Sequence, residues 1–243
     1  MFTVDEAISM AAGKFHDLQK HATKIIKFKQ SSVAKSDEAF FANIQSSLDN
    51  GQFNYGFGSC LGVAVLFLKD FLEHSSNLID LGATDWSRFE RGHGSSSNSD
   101  RNRKIFANAI SMQNDYLAAK GGGKDQITAM VKAVNSVGLK QSGLAPNRGS
   151  GTFEAEAISL VGAIDNSKAI LIGYYFTKPT GTGGHAVAIG KYMSDVYFFD
   201  PNIGGYSMPE GNFKDFVAEY KSLLKSKGSW DVGGNFDFIL VEK

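Results

Sequence analysis

Apolar residues recur in steps of four and three at the start of the chain, at Val4, Ile8, Ala11, Phe15, Leu18, Ala22 and Ile25. That spacing paints one stripe on a helix and predicts one over 4–25. Lys14, Lys20, Lys24, Lys27 and Lys29 fall off the stripe, which suits a solvated face or a surface that docks a partner or a membrane. Residues 36–48 predict a second helix, with Ser36 as its cap and Asp37 and Glu38 in its first turn. A glycine-rich approach over 51–58 then runs into Ser59, Cys60 and an almost unbroken apolar segment. We read that segment as a buried helix over 59–74. A polar, low-complexity stretch at 92–102 predicts a loop, and further helices are expected near 103–119 and 125–137, separated by Gly121, Gly122 and Gly123.

The second half changes period. Short aromatic and β-branched runs at 169–176, 186–192, 196–199 and 236–241 predict strands, Ser194-Asp195 reads as a hairpin turn, and helices are expected at 152–161 and 212–224. Helices first and an antiparallel sheet afterwards make an α+β chain rather than repeated βαβ units. We divide it into an N-terminal helical segment, 1–50, and a catalytic domain, 51–243, forming one compact unit.

Composition narrows the chemistry. With 243 residues, 42% of them hydrophobic, the chain can bury one substantial core. Lys and Arg together number 25, as do Asp and Glu, so no global charge favours nucleic acid or an anionic membrane. The longest apolar run, 61–68, is far short of the ~20 residues a membrane helix needs. The first thirty residues lack the apolar core of a cleaved secretory signal. With Cys60 as the single cysteine, the chain has no internal disulfide and no thiolate-rich zinc site.

That cysteine is placed for chemistry. Small residues before it, Gly56, Gly58 and Ser59, let the backbone approach a ligand. The helix after it would aim amides and a positive dipole end at the sulfur, an arrangement that favours thiolate. A thiolate nucleophile needs a base, and His185 is the histidine that a glycine loop, 181–184, hands to a strand. The base needs an acceptor to orient it. Asp200 stands in Phe198-Phe199-Asp200-Pro201-Asn202, where Pro201 keeps it extended; if it closes the strand antiparallel to the one His185 opens, the two side chains can approach at one sheet edge. The Cys60 amide and a side-chain amide from Asn54, or from Gln52, are candidate oxyanion donors.

Three windows, Gly58-Ser59-Cys60-Leu61-Gly62, Gly184-His185-Ala186-Val187-Ala188-Ile189 and Phe198-Phe199-Asp200-Pro201-Asn202-Ile203-Gly204, resemble, in that order, the YopT/AvrPphB group of papain-like cysteine proteases, bacterial effectors injected into eukaryotic cells. The resemblance implies Cys60 as nucleophile, His185 as base, Asp200 as orienter and Asn54 as oxyanion side chain. It also implies a helical lobe carrying the cysteine, packed on an antiparallel sheet. Where members of that group carry a tryptophan in the cysteine helix, this chain offers Phe67 and Phe71.

The expected activity is therefore amide hydrolysis in a protein, with no metal and no organic cofactor. Glutamine deamidation and peptidoglycan amide cleavage use the same chemistry and stand as alternatives, as does a binding module without turnover. The group implies a host-protein substrate and export into a target cell without a cleaved signal. Other motifs fail: Gly121-Gly122-Gly123-Lys124 lacks the earlier glycine of a phosphate loop, and the order Cys60, His185, Asp200 is not that of an α/β-hydrolase.

Overall fold

A computed structural model describes residues 17–26, 60–74, 108–116, 126–142, 147–149, 151–178, 181–228 and 231–243. In chain order the elements are β1 (Thr23–Ile26), α1 (Cys60–His74), α2 (108–116), α3 (Gln126–Ser136), β2 (Lys140–Gln141), β3 (Asn147–Gly149), α4 (Phe153–Ala163), β4 (Lys168–Lys178), β5 (Gly181–Tyr192), β6 (Asp195–Asp200), β7 (Gly204–Pro209), α5 (Phe213–Gly228) and β8 (Asp231–Glu242).

The eight strands form one sheet in the order β1-β7-β6-β5-β4-β8-β2, with β3 also on β8. Every pairing is antiparallel. Alternation along the strands feeds two cores. Ala186, Ala188, Tyr197 and Phe199 join α1, α2 and α3 in one cluster. Val187, Ile189, Val196 and Phe198 face the other way, toward α4 and α5. The α+β architecture is thus a central antiparallel sheet with helices on both faces.

Helix α1 is seated on that sheet by aromatic contacts. Phe67 stacks on Phe199 with centroids 4.6 Å apart and planes at 5°, and Phe71 meets Tyr197 at 5.3 Å. Phe71 presses so closely on β5 that a Cβ at Gly190 would lie 2.3 Å from its ring, so a side chain there would displace the helix. The two phenylalanines thereby fix the depth of the helix that begins at Cys60.

Several expectations change. Within the predicted 4–25 helix, residues 17–20 form a 3-10 turn and Thr23–Ile26 is a strand paired with β7. Leu18 and Ala22 of the stripe are buried, as is the neighbouring Ile26, so this part of the stripe joins the core. The β-branched Thr23, Ile25 and Ile26 suit the pleat, and pairing covers what would otherwise be an open edge of β7. The 181–184 segment is part of β5, paired with β4, rather than a loop. The β5–β6 turn centres on Met193-Ser194, with Met193 at φ 55°, one residue before the expected position. Strand β7 offered only Tyr206 and Met208 among glycine, serine and proline. The helix expected at 36–48, the 92–102 loop and the Gly121–Gly123 break lie outside the described residues. Among those described, no helix is long and apolar enough to cross a membrane.

Candidate active site

Cys60 opens α1, so its backbone N–H and those just after it have no acceptor within the helix. The positive end of the helix therefore lies at the sulfur. One of these amides, that of Leu61, donates to Gln113 Oε1 at 2.8 Å, and the Cys60 thiol lies 3.5 Å from the same oxygen. Gln113 comes from α2 and is buried. Sequence reading missed it, since nothing local distinguishes it and the link spans more than fifty residues of chain.

His185 and Asp200 meet on the sheet. His185 stands opposite Tyr174 in the β4–β5 ladder, and by alternation it points to the same face as Val187 and Ile189. Asp200 ends β6. A three-residue hairpin loop then follows: the Ile203 amide donates to the Asp200 carbonyl at 3.1 Å, and Gly204, at φ 102°, re-enters the sheet opposite Asp200. The Asp-Pro-Asn-Ile-Gly sequence satisfies this loop, with aspartate before the turn, proline in its first central position and glycine where φ is positive. Asp200 thus both shapes the turn and faces the imidazole.

The contact is close. His185 Nε2 and Asp200 Oδ1 are 2.7 Å apart, both side chains being almost wholly buried. The Asn202 amide donates to the same Oδ1 at 2.7 Å, and Asn202 Nδ2 lies 3.5 Å from His185 Nε2. Tyr220 donates to Asp200 Oδ2 at 2.6 Å. The carboxylate is held on both oxygens, as a buried anion must be.

Burial alone would strip the proton from His185. The charge of Asp200 and its hydrogen bond, together with a hydrogen bond and charge interaction from Cys60, outweigh it and raise the imidazolium to about 10. Cys60, His185 and Asp200 therefore interact electrostatically as one cluster. Because Nε2 faces Asp200, Nδ1 is the ring nitrogen on the side away from the carboxylate. A thiol, an imidazole and a carboxylate in series can generate a nucleophile, hold its proton and return it to a leaving group. Asn54 and Gln52 lie outside the described residues. Among the described residues no group of histidine, cysteine and carboxylate side chains is arranged to hold a metal ion.

The sequence matches the family Peptidase_C58, described as Yersinia/Haemophilus virulence surface antigen, over residues 16–239. Among solved structures the chain is similar to the Pseudomonas avirulence protein AvrPphB, with a TM-score of 0.55 at 18% identity, over 76% of this chain and 92% of that one. At that identity the likeness establishes the papain-like fold. No curated protein matches.

Proposed function

The chain belongs to the Peptidase_C58 family and is a cysteine-type peptidase of the effector class, and on that premise we propose that Cys60, His185 and Asp200 form the triad with which it cleaves an amide bond in a host-cell protein. The observation that carries this reading is the buried 2.7 Å contact of His185 with Asp200, in a histidine whose proton affinity Cys60 also raises.

In this reading the Cys60 thiol gives its proton to His185, and the thiolate adds to the amide carbonyl carbon. The Cys60 amide, at the helix terminus, and the Asn54 side chain donate to the resulting oxyanion. As the carbon–nitrogen bond breaks, the His185 proton passes to the departing amine, leaving a thioester on Cys60. Water then loses a proton to His185 and attacks the thioester, and the carbon–sulfur bond breaks to restore the thiol. Asp200 holds the imidazole in the tautomer and orientation that both proton transfers use. The step needs neither a metal nor an organic cofactor, and the protein acts after export into its target cell.

The test is to incubate the protein and Cys60→Ala with a eukaryotic lysate and label newly formed protein N-termini. New termini that appear with the native protein and vanish with Cys60→Ala are expected. A mass gain of about 1 Da on glutamine without new termini would replace proteolysis by deamidation, in which the same attack releases ammonia. Equal results from the two proteins would remove Cys60 from the chemistry.

A further inference from the structure

We infer that Tyr220, backed by Tyr174, is a positioning residue for this reaction: its hydroxyl clamps the outer oxygen of Asp200 and so sets how strongly the carboxylate holds His185. The inference rests on the triad reading above and adds to it a group that lies outside the three.

The hydrogen-bond geometry fixes the order of donors. Ionised Asp200 can only accept, so the Tyr220 hydroxyl, 2.6 Å from Oδ2, must donate its proton there. That leaves Tyr220 Oη as the acceptor in its 2.8 Å contact with the Tyr174 hydroxyl. The series is therefore Tyr174 to Tyr220 to Asp200, followed by His185 on the other carboxylate oxygen. Donors arranged in series polarise one another, and the effect is strongest where water is absent. Tyr174, Tyr220 and Asp200 are all fully buried.

Neither phenol gives up its proton in the working range, because burial and the charge of Asp200 push both well above the ordinary tyrosine value. Both rings are also held. Tyr174 stands edge-on to His185, centroids 5.5 Å apart at 78°. Tyr220, on α5, packs against Phe198 at 4.9 Å and Phe153 at 6.4 Å. Phenylalanine would fill the same space, so what tyrosine adds at 220 is the donor to Asp200. The titratable groups facing this carboxylate are His185 on β5, Tyr174 on β4, Tyr220 on α5 and Tyr206 on β7, with Cys60 on α1 reaching the same cluster through His185. The buried Tyr206 hydroxyl feels the charge but has no hydrogen-bond partner among the described residues.

A donor on Oδ2 draws negative charge away from Oδ1. Without it the carboxylate is the stronger base, and while ionised it grips the imidazolium harder. Both limbs of the pH–reactivity curve should then move upward together, a change that looser packing alone does not produce.

The experiment measures alkylation of Cys60 by iodoacetate against pH in the native protein, Tyr220→Phe, Tyr174→Phe, Tyr206→Phe and His185→Ala. An anionic reagent favours the thiolate beside an imidazolium, so the native curve should be bell-shaped. We expect Tyr220→Phe to displace both limbs upward by about one pH unit, the order of one hydrogen bond to a carboxylate. Tyr174→Phe should move them less and in the same direction, and Tyr206→Phe should leave them in place. Unmoved limbs in Tyr220→Phe, or an equal displacement in Tyr206→Phe, would overturn the inference. If Tyr220→Phe does not fold, Tyr174→Phe decides, since unmoved limbs there break the series. A bell unchanged in His185→Ala would instead refute the triad itself, whereas loss of the bell in His185→Ala with native limbs in both Tyr220→Phe and Tyr174→Phe would refute only the role of Tyr220.

Discussion

Gly62 offers a prediction in which helix propensity and packing give opposite signs. It lies two residues after Cys60, where α1 crosses α2. A Cβ there would be 2.1 Å from the carbonyl oxygen of Ala109 and 2.4 Å from its Cα. Both are backbone atoms and cannot rotate aside, so Gly62→Ala must part the two helices by roughly 1 Å at the crossing. Propensity alone would make alanine better by about 1 kcal/mol. Overpacking a filled core costs about 1–3 kcal/mol, and the contact to rigid backbone puts this site toward the upper end. The net expectation is a loss of about 1–2 kcal/mol, or a melting point lower by roughly 5 °C for a chain of this size.

The functional cost of the same substitution should be larger. Gln113 stands one helical turn beyond Ala109, on the same side of α2. Parting the helices draws its Oε1 away from the Leu61 amide and the Cys60 sulfur, now at 2.8 and 3.5 Å. His185 and Asp200 are carried by the sheet and should stay paired. A nucleophile misplaced by about 1 Å costs on the order of a hundredfold in rate. Thermal unfolding measures the first effect. The second is read from turnover of a cleaved protein, once found, or from Cys60 alkylation. A Gly62→Ala protein that is more stable than the native one and fully active would refute the close approach of α1 and α2.

Two further outcomes concern the proton on His185. Asp200→Asn keeps the shape and removes the charge, so burial is opposed mainly by Cys60: the upper limb of activity should fall well below about 10, with rates at neutral pH down by about 10²–10⁴-fold; an unmoved limb in a pH–rate profile would count against Asp200 as the orienter. In a Cys60→Ala background, which isolates the His185–Asp200 pair, the histidine is still raised by Asp200 and takes up its proton on folding, so its stabilisation is complete below about pH 6.5 and fades as pH rises above it. The melting-point advantage of Cys60→Ala over Cys60→Ala/His185→Gln should therefore shrink from pH 6 to pH 10, and an advantage that grew with pH would contradict the pairing.

Much of the site was legible because its residues carry local constraints. Aspartate, proline, asparagine and glycine in 200–204 satisfy a hairpin loop that can be recognised without knowing what it faces. The apolar run after Cys60 reads as a buried helix wherever it occurs. Other features left no local trace. Gln113 is an ordinary residue in a helix, Tyr220 resembles any apolar-face aromatic, and Thr23–Ile26 continues a helical stripe by spacing. Each owes its role to a partner distant in sequence: the Leu61 amide, the Asp200 carboxylate and β7.

The sequence by itself determined the α+β class, the helix that opens at Cys60 and the strands that carry His185 and Asp200. These follow from periodicity and turn chemistry, which act over a few residues. Tertiary structure alone decided which strand covers the edge of β7, how deeply α1 sits, and which hydroxyl holds the far side of Asp200. Those are matters of burial, where a buried polar group must find a partner from whatever element the packing brings within 3 Å.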